Sequence, residues 1–149
     1  MNCESQIFSN PICRQWIDHL LNSRGVNRLM APHFCLLSGE QPLDLPLCWQ
    51  ILASAEVVAA CYSHNYDRIP ANAQQWLRRR QGLYARRCKI TSVQAATALK
   101  AVQQVLVEPT FKESQQAQPW LGCCGHLGLI ERLDLAPSIY QPHSPLASR

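Results

Sequence analysis

At 149 residues, with 47% hydrophobic and 16% charged side chains, the chain suits one domain and is too apolar to stay disordered. A domain of this size buries roughly two-thirds of its unfolded surface, so its folding need not rely on disulfides or a structural metal. The net charge of +4, with five neutral histidines, is weak, which leaves any role in binding phosphates or anionic membranes to a local patch.

In chain order the predicted elements are helices. Ser9-Asn10-Pro11 offers an N-cap followed by a proline suited to a first turn. Behind it Ile12, Trp16 and Leu20 fall on one face, and Gly25 supplies a stop. A weaker helix is expected from Val26 to Leu37, interrupted or entered at Pro32, and Ser38 to Pro46 read as a loop. The central helix, about Leu47 to Tyr62, is apolar nearly all round and belongs in the middle of a bundle. A turn follows, with Asn65 as a left-handed cap and Pro70 opening a helix to about Arg80, whose Ala73, Trp76 and Leu77 face inward and which Gly82 ends. Thr91-Ser92-Val93-Gln94 is a capping box for an amphipathic helix to about Val107, stopped by Pro109. A last helix is expected between Glu113 and Leu133, with Trp120, Cys124, Leu127, Ile130 and Leu133 on its apolar face, although Gly122, Gly125 and Gly128 weaken it. From Ala136 the chain is proline- and serine-rich. No stretch alternates with period two and no repeat is visible. The expected fold is therefore all-α, a single compact bundle of five or six helices over residues 1–135, with a flexible tail over 136–149.

The N-terminus has neither a basic start nor a continuous apolar run, so no secretory signal is expected. The longest apolar stretch is broken by Gln50, Ser54 and Glu56, short of the ~18 residues of a membrane span. A soluble, cytoplasmic protein is the expectation. The eight cysteines then read as free thiols that pack as small hydrophobes.

Four features carry candidate chemistry. Glu56 lies off the weakly polar strip of Gln50, Ser54 and Cys61, with Leu52, Ala53, Ala59 and Ala60 as helical neighbours. A carboxylate there must be paired, hydrogen-bonded or kept neutral. It is either a tether to a neighbouring segment, with Arg68, Arg78 or Arg132 as partner, or a general base in a pocket, and the tether is preferred because no second catalytic group is spaced with it. Trp49 shares its strip and is expected near it. His33 and Cys35, with Cys123, Cys124 and His126, offer soft metal ligands, but their spacing is not that of a zinc site. The same Cys124 and His126 lack any nucleophile signature, and "GCCGHLG" lacks the lysine and strand of a phosphate loop. No metal or cofactor is expected. Finally, Arg78, Arg79, Arg80, Arg86, Arg87 and Lys89 form a basic run that reads either as a solvated helix end or as a nucleic-acid contact. Trp16, Trp76 and Trp120 read as core.

"ASAEVVAA", Ala53 to Ala60, followed by "RIPANAQQWL", Arg68 to Leu77, resembles the central motif of a family of small bacterial proteins catalogued as domain of unknown function 4259. "IFSNPICRQWIDHL" is similar to its N-terminal segment, and "ALKAVQQVLVEPTFKES" and "LIERL" to its C-terminal helices, so the likeness spans most of Ile7 to Leu133. Ile69 stands where the family has leucine. Cys13, Arg14 and Gln15 replace its acidic residues, and its glycine-rich opening segment is absent. The resemblance implies a compact helical domain and makes Glu56, Pro70, Trp76 and Trp16 parts of a structural motif. It implies no activity. The functional expectation is a non-catalytic domain that binds another protein, regulatory or immunity-like. The alternatives are a nucleic-acid-binding accessory protein and an enzyme using Glu56.

Overall fold

The computed structural model describes residues 5–23, 26–80, 90–123 and 125–139. Among them the chain forms a short 3-10 turn, Gln6–Ser9, and eight helices: α1 Pro11–Leu21, α2 Val26–Leu37, α3 Leu45–Ser63, α4 Ala71–Arg80, α5 Ser92–Leu106, α6 Pro109–Lys112, α7 Gln118–Gly122 and α8 Gly125–Ile139. Six of these have ten residues or more, and no strand occurs among the described residues. The fold is an all-α bundle.

Local chemistry sets several of the starts. Asn10 accepts from the Ile12 amide at 2.8 Å, with Pro11 as the first helical residue. Asp44 does the same for Leu47 at 2.9 Å, so α3 begins two residues earlier than the apolar run suggests. Thr91 and Gln94 form the reciprocal capping box of α5, at 2.9 and 3.1 Å. Each cap satisfies an amide that the helix itself leaves free.

α3 is the axis of the bundle. From Ile51 to Tyr62 every residue is buried, including Ser54 and Glu56. α1, α2, α5 and α8 pack around it. Ala53, Ala55, Ala59 and Ala60 have no exposed surface, and these small side chains let the surrounding helices approach on every side. By length and composition α3 would also cross a membrane, with a mean hydropathy of 1.4, but 83% of that window is buried inside its own bundle.

Four local expectations need correction. Pro32 does not interrupt α2, which runs through it from Val26 to Leu37. The proline cannot donate to the Arg28 carbonyl one turn back; the adjacent Leu29 carbonyl accepts from the hydroxyl of buried Ser54. α1 ends at Leu21, before Gly25, which lies outside the described residues, as does Gly82. The left-handed residue after α3 is His64 (φ 61°), not Asn65; Asn65 instead accepts from the Asp67 amide at 3.2 Å. The single helix expected over Glu113–Leu133 is divided into α7 and α8, and the break resets the helical phase. Leu129 and Leu133 are buried, whereas Leu127 is 55% exposed. α8 runs to Ile139.

The break is tightly packed. A Cβ on Gly125 would lie 2.5 Å from Cδ1 and Nε1 of the Trp120 ring. Gly125→Ala should therefore lower stability by about 1–3 kcal/mol, through overpacking, despite alanine's better helix propensity. A urea midpoint equal to or above that of the wild type would contradict this packing.

Candidate functional site

Two regions carry polar chemistry in otherwise apolar surroundings. The first is the carboxylate of Glu56, midway along α3 with no exposed surface. Its Oε1 accepts from Nη2 of Arg132 on α8 at 2.7 Å. Nε of Arg68, in the turn before α4, stands 3.7 Å from the same oxygen, too long for a hydrogen bond but close enough for attraction. Of the three arginines that the sequence offers as partners, these two flank Glu56; the side chain of Arg78 lies outside the described residues.

This pair ties several segments together. Arg132 Nε donates to the Gly128 carbonyl at 3.2 Å, which braces the guanidinium along α8. The Arg68 carbonyl accepts from the Ser5 amide at 2.8 Å, so the turn before α4 also holds the N-terminal segment. The contact with Arg132 is single-armed: among the described residues Glu56 Oε2 and Arg132 Nη1 make no hydrogen bond. The nearby thiol of Cys13 donates to the Trp49 carbonyl at 3.3 Å. Burial first, and then the negative charge of Glu56, push its pKa far above the ordinary thiol range, so it is no nucleophile.

The candidate metal and nucleophile groups do not converge. His33 is fully buried, with Nε2 2.8 Å from Ser54 Oγ. Because the Ser54 hydroxyl spends its single proton on Leu29, His33 must be the donor, which assigns the neutral Nε2–H tautomer. Cys123 is exposed and accepts from Gln6 Nε2 at 3.7 Å. His126 sets its ring edge-on to Trp120, centroids 5.8 Å apart. Among the described residues no three His, Cys, Asp or Glu side chains are placed to share a metal ion, and Cys124 lies outside them. Of the basic run, α4 carries the backbone of Arg78, Arg79 and Arg80; their side chains, and Arg86, Arg87 and Lys89 entirely, lie outside the described residues.

The second region is a cleft of about 430 Å³ where the 3-10 turn, the start of α1, α3 and α7 meet. Its floor is buried Ile7, Asn10, Trp49 and Trp120, and its rim is exposed Gln6, Ser9, Pro11, Gln116 and Pro119. None of these nine residues is charged. Asn10 closes one side by donating to Gln116 Oε1 at 2.8 Å. Beneath the floor Phe111 meets Trp49 and Trp120 edge-on, at centroid distances of 5.2 and 6.2 Å. Trp49 therefore lines the cleft, about two helical turns along α3 from the carboxylate. Both indole N–H groups are buried and have no partner among the described residues.

Sequence reasoning missed this cleft. Its residues come from four separate elements, and no spacing along the chain joins them. The available cues were Pro11 beside Asn10 and Pro119 beside Trp120, which mark helix starts and say nothing of a shared wall.

Two stability measurements test these polar placements. Glu56→Gln leaves Arg132 buried without a counter-charge and should cost about 3–5 kcal/mol, while Glu56→Leu combined with Arg132→Met should cost less than Glu56→Leu alone. If the double variant is the worse of the two, the pair is not the tether described. The second test uses pH. Burial pushes the His33 pKa down from 6.5 to about 3. The folded state then binds fewer protons than the unfolded state between these values, and stability falls with pH across that window by up to about 1.4 kcal/mol per unit. Urea midpoints of His33→Gln should decline less from neutral pH to pH ~4 than those of the wild type; parallel profiles would refute the assignment.

No protein-family model matches the chain, and neither the curated proteins nor the solved structures include a significant match to it.

Proposed function

We propose that this chain is a non-catalytic interaction domain that binds another protein at the Trp49–Trp120 cleft. The observation that carries the reading is the cleft itself: an uncharged, mostly apolar hollow with an aromatic floor and an exposed rim. Buried aromatics surrounded by neutral polar groups are the chemistry of protein contact surfaces.

The enzyme alternative draws little support. Glu56 has no exposed surface, is hydrogen-bonded to Arg132 and is not among the residues lining the cleft. A base must come within hydrogen-bond reach of its substrate. The geometry favours the tether. Nucleic-acid binding through Arg78–Lys89 rests on the basic run alone, and none of the nine cleft residues is cationic. The resemblance to domain of unknown function 4259 is to small bacterial proteins and names no reaction. A regulatory or immunity-like role is an analogy at the level of fold.

Affinity capture from the native host should yield a partner that binds wild-type protein and Val93→Arg, an exposed control outside the cleft lining, but not Pro119→Arg, which places a charge on the cleft rim. A partner retained equally by all three would remove the cleft from the proposal, and the absence of any partner would remove the proposal.

A further inference from the structure

We propose that a single internal water completes the Glu56 site and bridges α3, α8 and the turn before α4. This site is separate from the cleft: Glu56, Arg68 and Arg132 are not among the cleft's lining residues.

The ion pair leaves polar atoms that the protein itself does not satisfy. Glu56 Oε1 accepts from Arg132 Nη2 at 2.7 Å. Glu56 Oε2, Arg132 Nη1 and Arg68 Nε are buried and make no hydrogen bond among the described residues. Each belongs to a charged group, for which an unmet hydrogen bond in the interior is most costly.

The groups that own these atoms already converge. Arg68 Nε stands 3.7 Å from Glu56 Oε1, beyond a direct hydrogen bond and at a separation that a bridging water can span. The Arg68 guanidinium also lies over Gly128, where an added Cβ would be 3.8 Å from its Nη1. The carbonyl of the same Gly128 accepts from Arg132 Nε at 3.2 Å. Two guanidinium groups and one carboxylate therefore meet beside one turn of α8. Arg132 is held at both Nε and Nη2, which fixes the plane of its guanidinium and leaves Nη1 outside the direct contact.

The unmet atoms define the ligand. Oε2 needs a donor, whereas the N–H groups of Arg132 Nη1 and Arg68 Nε need an acceptor. A halide only accepts, and it would stand against the charge on Oε2. A small cation only donates, and it would face two guanidinium groups. A water molecule donates and accepts, and a buried water typically makes about three hydrogen bonds to groups that are otherwise unsatisfied. Three such atoms are present here. The direct Glu56–Arg132 contact joins two helices, and the water adds a third segment. Through Arg68, whose carbonyl accepts from the Ser5 amide at 2.8 Å, it also ties the N-terminal segment to α3 and α8.

A high-resolution crystal structure of the full-length protein should show one water within about 2.5–3.2 Å of all three atoms. In solution, magnetic relaxation dispersion of the water oxygen counts long-lived internal waters. The wild type and Val93→Arg should hold one more of them than Glu56→Leu/Arg132→Met, which removes two of the three ligands. Arg68→Met, at a partly exposed position, serves if the double variant melts, and should shorten the residence time of that water roughly tenfold through loss of one charged hydrogen bond. Direct pairing of Oε2 with Nη1, a site without such a water, or a halide there in bromide-soaked crystals would overturn the proposal. So would a water count and residence time that neither variant changes.

Discussion

The bundle depends on one constraint: α3 is enclosed on all sides, and the single carboxylate on it has to be answered from within the protein. Apolar burial around Ile51–Tyr62 supplies cohesion, but it does not specify which neighbour sits where. Glu56 does. A buried carboxylate is tolerated where a guanidinium meets it, and Arg132 meets it from α8 while Arg68 approaches from the turn before α4. Alanines around the axis would let helices slide or rotate; the ion pair admits one placement of α8 against α3.

Ser54 plays a parallel part on another side of the same helix. It joins the Leu29 carbonyl to the His33 ring and so holds the proline-containing turn of α2 against the axis. α3 thus carries two polar contacts within three residues, each directed to a different neighbour. The α3 side chain in each is fully buried, and both contacts suit architecture better than chemistry. With its polar interior committed to holding helices, the other polar region among the described residues is the cleft. There the small elements matter most. The 3-10 turn and α7 are each only a few residues long, and Asn10, Gln116 and the Phe111-centred aromatic cluster hold them together.

The contrast between what was legible in the sequence and what was not follows the range of the forces involved. Asn10-Pro11, the Thr91–Gln94 box and the apolar run of α3 were readable because capping and periodicity act within a turn or two of helix. The oddity of Glu56 was readable for the same reason, as was a short list of arginines able to answer it. Selecting Arg132 and Arg68 from that list required the packing of α8 and of the turn before α4 against α3. The misplaced burial of Leu127 shows the limit from the other side. The division between α7 and α8 shifts the helical phase, and no local signal separates glycines that end a helix from glycines that let a ring lie close.

The amino-acid sequence by itself determined an all-helical chain, a central helix meant for the interior, and a carboxylate on that helix in need of a cation, since each follows from side-chain spacing and the cost of burying charge. Tertiary structure alone decided which cation answers it and where an uncharged cleft opens. Those depend on residues from separate helices being brought side by side, and spacing along the chain carries no record of that.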